Sequence, residues 1–74
     1  MDKPPRHLLR ALRQCQIYGY LVPRNGGIYH PGGNHPVCNL YDAQQMVTSG
    51  WLVFRDGRYE ITPEGHRAAE LSKR

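Results

Sequence analysis

Residues 40–66 have the sequence LYDAQQMVTSGWLVFRDGRYEITPEGH, and this stretch decides the fold. Its first part follows an asparagine that is a favourable N-cap, and it spaces apolar side chains at helical intervals. Two β-prone runs come next, around Asp56-Gly57, a dipeptide that favours a type I′ turn because both central residues take positive φ. Thr62 and Pro63 then suit the cap and the first position of a helix. The stretch therefore predicts a helix, a β-hairpin and a second helix.

The same signals give element bounds for this half of the chain. We expect a helix over Leu40–Ser49, hairpin strands over Trp51–Arg55 and Arg58–Ile61, and a last helix from Pro63 to about Leu71. Alternation along the strands places Leu52 and Phe54 on one face of the hairpin and Tyr59 and Ile61 on the matching one.

The helix over residues 40–49 has two contrasting faces. Leu40, Ala43 and Val47 are expected on its inner face, with Met46 at the edge. The outer face is polar yet uncharged, and it consists of Tyr41, Gln44, Gln45 and Thr48. Such side chains can read base edges, since a glutamine amide bonds adenine N6 and N7 together, but they also occur on any solvent-facing helix.

The N-terminal half begins with a helix that we expect from about Pro5 to Gln16. Its apolar stripe consists of Leu8, Leu12 and Cys15. The opposite side is a basic ridge of Arg6, Arg10 and Arg13. This ridge could follow a phosphate backbone, or it could be an ordinary solvated helix face.

Glycine and proline dominate the segment after that helix. We expect short strands over Ile17–Val22 and Ile28–His30, with a turn at Arg24–Gly27. Between Pro23 and Pro36 these residues leave no uninterrupted stretch for a helix. The segment is therefore expected to form a hairpin or a loop.

Length and charge narrow the classes of function. A chain of 74 residues forms a single domain, 1–74, and is too small for a large enclosed active site, so we do not expect an enzyme. The formal net charge of +4 favours polyanionic partners such as nucleic acid. A core of this size supplies only about 3 to 5 kcal/mol, so a homodimer or a bound partner could add stability.

The sequence carries no signal for a membrane. Its longest apolar run, Trp51–Phe54, is far shorter than the roughly 20 residues that span a bilayer, and the start MDKPPRHLLR lacks the hydrophobic segment of a signal peptide. We therefore expect a cytoplasmic protein without a membrane partner, and free thiols at Cys15 and Cys38.

Two short motifs resemble the recognition-helix and wing segment of winged helix-turn-helix regulators, especially those of the MarR and PadR types. The first, Gly50-Trp51-Leu52, is a glycine and a hydrophobic pair at the end of a helix. The second, Ile61-Thr62-Pro63-Glu64-Gly65, has the pattern aliphatic-Thr-x-x-Gly of a helix start. The resemblance implies an α+β, winged-helix-like domain of three helices, with the C-terminal hairpin as its wing and a short hairpin in place of the usual second helix.

The resemblance also implies a function, namely binding of double-stranded DNA by a small transcriptional regulator. Tyr41, Gln44, Gln45 and Thr48 would read base edges, and Arg55 and Arg58 would hold the wing on phosphates. The alternative is a protein-interaction module of phage or mobile-element type on the same scaffold. That module would use the exposed tyrosines, which are Tyr18, Tyr20, Tyr29 and Tyr41.

Two further chemistries can be assembled from the histidines and cysteines. Cys15, His30, His35 and Cys38 could supply a tetrahedral zinc site, but their spacing C-x14-H-x4-H-x2-C is not a zinc pattern, and we expect neither a metal nor a cofactor. Cys38 and His35 could act as nucleophile and base, but a chain this short can scarcely provide the orienting group and oxyanion site as well.

Overall fold

A computed structural model describes residues 4–71 of the chain. Its elements in chain order are α1 Arg6–Tyr18, β1 Tyr20–Arg24, β2 Gly27–Tyr29, β3 Cys38–Asn39, α2 Leu40–Thr48, β4 Leu52–Arg55, β5 Arg58–Ile61 and α3 Pro63–Leu71. The described part is thus a small α+β domain of three helices and one antiparallel sheet of five strands in the order β3-β2-β1-β5-β4. Within this range, no helix has the length and apolar character needed to cross a membrane.

Helix α1 is longer than the sequence predicted, because a glycine and not a β-branched residue ends it. Gly19 takes a left-handed φ of 89°, and its N–H bonds to the Cys15 carbonyl at 2.8 Å. Ile17 and Tyr18, which were expected to begin a strand, therefore form the last turn of the helix. The prediction gave too much weight to their β propensity and too little to the preference of glycine for the C-terminal cap.

The turn of the first hairpin lies where the sequence predicted it, but the first strand begins at Tyr20 and not at Ile17, and the second is Gly27–Tyr29 and not Ile28–His30. Asn25 and Gly26 have φ values of 50° and 81°, and Arg24 pairs with Gly27 across the turn. The segment from Pro23 to Pro36 contains no helix, as predicted.

The sheet is larger than expected, because it runs from one hairpin into the other. β1 pairs with β5 on one side and with β2 on the other, and β2 also pairs with β3, a strand of two residues that the sequence did not predict. The bond from the Val37 N–H to the Ile28 carbonyl, at 2.7 Å, leads the chain into that pairing. This sheet-rich layout differs from that of a standard winged helix.

The second hairpin confirms the strongest local prediction. Asp56 and Gly57 have φ values of 55° and 78°, and Arg55 pairs with Arg58 across the turn. Trp51 lies outside the strand that was expected to include it, because its N–H bonds to the Met46 carbonyl at the end of α2.

Helix α2 has its predicted bounds within one residue, but its inner face differs from the prediction. Asn39 caps it by accepting the Asp42 N–H at 2.8 Å. Ala43 and Met46 are fully buried, whereas Leu40 is 47% exposed. Leu40 is the first residue of the helix and directly follows β3, an edge strand of the sheet.

The core lies between the three helices and one face of the sheet. Its largest fully buried side chains come from each layer, and they are Leu12, Leu21, Ile28, Met46 and Leu52. Side chains from alternate strand positions point to the other face, which carries no helix in the described range.

The Thr-x-x-Gly motif has a clear structural role at the start of α3. The Thr62 hydroxyl donates to the Gly50 carbonyl at 2.5 Å and accepts the Gly65 N–H at 2.9 Å. The helix then passes so close to the chain before β4 that a Cβ on Gly65 would overlap the Trp51 carbonyl. The motif therefore fixes α3 to the base of the second hairpin.

Candidate nucleic-acid interface

The outer face of α2 is a continuous exposed surface of polar side chains. Tyr41 is 69% exposed, and Gln44, Gln45 and Thr48 are exposed as well. The Gln45 amide donates to the Tyr41 hydroxyl at 2.6 Å, so these two side chains are already paired along the helix. The four residues that were predicted to contact DNA bases thus lie on one surface of the structure.

The basic ridge of α1 begins next to the start of α2. The Nε2 atom of His7 lies 3.5 Å from a carboxylate oxygen of Asp42, which joins the first turns of the two helices. Arg6 and Arg10 are exposed, whereas Arg13 is half-buried. The ridge therefore consists of two exposed arginines and a half-buried one, on a helix whose first turn contacts that of α2.

Both arginines of the second hairpin, Arg55 and Arg58, form ion pairs with Glu60, which the sequence did not predict. Arg55 Nη2 lies 2.6 Å from Glu60 Oε1, and Arg58 Nε lies 3.0 Å from Glu60 Oε2. The bond from Arg55 and then that from Arg58 lower the pKa of Glu60 below its usual value of 4.5. Because this carboxylate stays ionised at neutral pH, it cancels one of the two positive charges.

The open face of the sheet carries two stacked arginine–tyrosine pairs. The guanidinium of Arg24 lies 4.2 Å from the ring centre of Tyr29, and that of Arg58 lies 4.5 Å from the ring centre of Tyr20. Val53 is exposed on the same face. Alternation along β1 and β2 could have placed Tyr20 and Arg24 on one side, but the pairing of β1 with β5 was needed to add Arg58.

The cysteines and histidines are not gathered into one centre. Cys15 is fully buried, and its thiol lies 3.8 Å from the Tyr59 carbonyl. Among residues 4–71, no three histidine, cysteine or acidic side chains are placed to hold a metal ion.

Both thiols are also poor nucleophiles. Burial raises the pKa of Cys15 to about 11 and, with a smaller contribution from Asp42, that of Cys38 to about 12. At neutral pH each is a thiol and not the thiolate that attacks substrates. The arrangement therefore gives no support to the pairing of Cys38 with His35 as nucleophile and base.

A polar cleft opens between α1 and the loop that joins β2 to β3. Its volume is about 330 Å³, and its lining consists of His7, Arg10, Gln14, His30, His35, Pro36 and Val37. Of these residues, Arg10 was predicted as part of the basic ridge and His30 and His35 as part of the alternative zinc site, whereas His7 and Gln14 were not predicted. Their spacing of three and four residues around Arg10, which puts all three on one face of a helix, was the signal that could have found them.

Comparison of the chain with protein-family models, with curated proteins and with solved structures finds no match.

Proposed function

We propose that this protein is a small winged-helix-type DNA-binding protein that regulates transcription, with α2 as the recognition helix in the major groove of double-stranded DNA. The observation that carries the proposal is the outer face of α2. It presents exposed hydrogen-bonding side chains that are uncharged, and the exposed arginines of α1 begin near the first turn of α2, where His7 contacts Asp42.

The order of the elements supports this reading of α2. The first hairpin stands where a second helix would lie, and α2 still directly precedes the hairpin β4–β5, as a recognition helix precedes a wing. With its side chains an α-helix is about 10 to 12 Å across, which suits the roughly 12 Å width of the major groove, and the nine residues of α2 extend about 13.5 Å along it.

The four outer side chains differ in what they can offer to a base. Gln44 and Thr48 face solvent one turn apart and could reach base edges without giving up a bond to each other. Gln45 would have to leave the Tyr41 hydroxyl before its amide could bond adenine on two sides. Gln44 is therefore the side chain that should contribute most to sequence discrimination.

Phosphate contacts would come mainly from α1. Arg6 and Arg10 are exposed next to the start of α2, whereas Arg55 and Arg58 share the charge of Glu60. Each phosphate neutralised on duplex DNA contributes about 0.9 to the slope of log K against log salt. The two α1 arginines should thus dominate that slope.

Titration of labelled DNA at two salt concentrations tests the proposal. The wild type should bind both random and genomic duplexes, and more tightly at low salt. Arg6→Ala and Arg10→Ala should each weaken binding to every sequence and reduce the salt slope by about 1. Arg67→Ala serves as the matched control. It makes the same change of charge at an exposed position on α3, a helix that packs against α1 and β5.

One further variant separates the reading of bases from contact with phosphates. Gln44→Ala should cost about 1 to 3 kcal/mol on a preferred site and little on random DNA, and it should leave the salt slope unchanged. If the wild type does not bind DNA at low salt, or if the α1 variants behave like Arg67→Ala, the proposal is wrong.

Such a regulator would act in the cytoplasm, and a homodimer would bind two half-sites. Two copies of α2 would then lie about 34 Å apart along the duplex. Light scattering with and without a palindromic duplex would measure the number of chains bound to it.

The protein-interaction module is the second candidate, and the open face of the sheet favours it. Tyr20 and Tyr29 are half-buried there beside the exposed Val53, and tyrosines are frequent in protein interfaces. Binding of a protein partner through this face should survive high salt and should be lost on Tyr29→Ala. The same variant should leave DNA affinity unchanged if α2 is the DNA-binding element.

A further inference from the structure

We propose that the cleft between α1 and the β2–β3 loop is a binding site for a phosphate group. One wall is helical and carries His7, Arg10 and Gln14. The other wall is the loop, which carries His30 and His35. The site does not depend on the proposed contact of α2 with DNA bases.

The side chains that line the cleft have the chemistry of an anion site. The Arg10 guanidinium is a fixed positive charge with a fork of N–H donors that matches phosphate oxygens. Imidazole and amide groups add further N–H donors. Among the described residues that line the cleft there is no carboxylate, and the carboxylate of Asp42 contacts His7, one of the lining residues.

A cation would not suit this cleft. The imidazoles of His7, His30 and His35 could each bind a metal by chemistry, but within residues 4–71 no three such groups converge. A guanidinium in the lining would also repel a metal ion. The donor set and the charge therefore favour the same class of ligand, a phosphate.

The size of the cleft fits a phosphate with a small organic group attached. About 330 Å³ is near the lower end of the range for small-molecule sites, roughly 300 to 1,000 Å³. Pro36 and Val37 add apolar surface beside the donors. A ribose-sized group could rest there while its phosphate contacts Arg10.

The loop that forms the second wall of the cleft is held in place by contacts within the protein. The His30 ring stacks on Tyr18 with ring centres 4.2 Å apart, and its Nδ1 lies 3.1 Å from the Pro31 carbonyl. Because a carbonyl can only accept, Nδ1 carries the proton in that bond. Arg24 donates to the Gly33 carbonyl at 2.7 Å and so ties the loop to β1.

Gly33 allows the His30 ring to pack against the loop because it has no side chain. A Cβ at this position would lie 2.8 Å from the Nε2 and Cε1 atoms of His30. The ring is thus packed against the loop backbone and forms part of the wall. The remaining donors, from Arg10, Gln14 and His35, are left to contact the phosphate, and His7 can join them if its Nε2 leaves Asp42.

The phosphate could belong to a free phosphomonoester or to a nucleic-acid backbone. The cleft borders the first turn of α2 through the contact of His7 with Asp42, so a duplex on α2 would bring its backbone near. Both sources share the chemistry that the cleft recognises, and the experiment has one arm for each.

In the first arm, inorganic phosphate is titrated into the isotope-labelled wild-type protein and followed by NMR, with sodium chloride at matched ionic strength as the reference. Saturable shifts should centre on residues 7–14 and 33–37, and chloride should not reproduce them. Arg10→Gln should weaken phosphate binding about 10-fold or more, since it removes a charge-assisted pair, and Arg67→Gln should not. Shifts that stay linear in concentration, or that chloride matches, would overturn the site.

In the second arm, a short duplex is titrated in phosphate-free buffer. If duplex DNA shifts the same residues and inorganic phosphate competes with it, the natural ligand is a backbone phosphate. If DNA binds without shifting them, or does not bind, while phosphate still saturates the cleft, the ligand is a small phosphomonoester. Failure of DNA binding would thus refute the proposed function and leave the phosphate site standing.

Discussion

The two hairpins of this protein have the same kind of turn, but the arginine before each turn bonds to a different part of the structure. Asn25-Gly26 and Asp56-Gly57 both take two successive positive φ values, and in each case an arginine stands directly before the turn. In the first hairpin that arginine, Arg24, reaches back to the Gly33 carbonyl and braces the cleft. In the second, Arg55 bonds to Glu60 on the sheet surface.

The difference shows that the residues of a turn determine its conformation, whereas the surrounding elements determine which part of the structure the hairpin supports. The first hairpin lies inside the sheet, between β5 and β3, and the loop that follows it, between β2 and β3, forms a wall of the cleft. The second has an edge strand, β4, and the chain just before it, at Gly50 and Trp51, is bonded to Thr62 at the start of α3. Four predictions sharpen this contrast, beginning with the largest effect.

Gly65→Ala should be the most destabilising of the substitutions considered, by about 3 kcal/mol. The new Cβ would overlap the backbone of Trp51, and neither α3 nor the base of the second hairpin can move without breaking the bonds of Thr62. Urea unfolding followed by circular dichroism measures the change. Arg67→Ala, which removes an exposed pair with Glu64, is the control and should cost less than about 0.5 kcal/mol.

Gly26→Val and Gly57→Val form a matched pair that asks whether the two turns are energetically alike. Their φ values are 81° and 78°, and a Cβ would meet nothing within 4 Å at either position. The cost is therefore conformational and should be about 1 to 2 kcal/mol in both cases. A difference larger than about 1 kcal/mol between the two free energies of unfolding would show that the sheet around a turn sets its cost.

Much of the fold could be predicted because its signals are local. Asp56-Gly57, Asn39 and the Thr62–Gly65 motif each act within a few residues, and each has the structure that its chemistry favours. The end of α1 was wrong by two residues, since Gly19 was the decisive signal and Ile17 was read as strand.

The rest depended on contacts between distant parts of the chain. β3 is a strand only because Val37 and Cys38 meet Ile28, and two residues carry no periodic pattern of their own. Leu40 is exposed at the start of α2, directly after that edge strand.

The candidate sites show the same division between local and distant signals. The helical spacing of Tyr41, Gln44, Gln45 and Thr48 was enough to place them on one surface. The cleft needed residues 7–14 and 30–37 to come together, and the partnership of Glu60 with Arg55 and Arg58 needed the register of the second hairpin.

Arg24→Ala should loosen the cleft with a modest loss of stability, about 1 kcal/mol. It removes the bond to the Gly33 carbonyl and the stack on Tyr29. Hydrogen exchange at the Gly33 and Val37 amides should quicken, while that in β4 and β5 should not. Arg55→Ala makes the equivalent change in the second hairpin, and equal quickening of the loop amides in both variants would contradict the bracing role of Arg24.

Glu60→Gln should have the smallest effect on folding and a visible effect on charge. The pKa of Glu60 is lowered in the folded protein by Arg55 first and Arg58 second, so its contribution to stability is present above pH 4.5 and is lost as the pH falls through the lowered value. The variant should lack that part of the acid dependence. At neutral pH it should also free the two hairpin arginines and, if they contact DNA, steepen the slope of log K against log salt by about 1. An unchanged slope, together with the expected loss of acid dependence, would place the phosphate contacts on Arg6 and Arg10 alone and leave the second hairpin as a purely structural element beside α2.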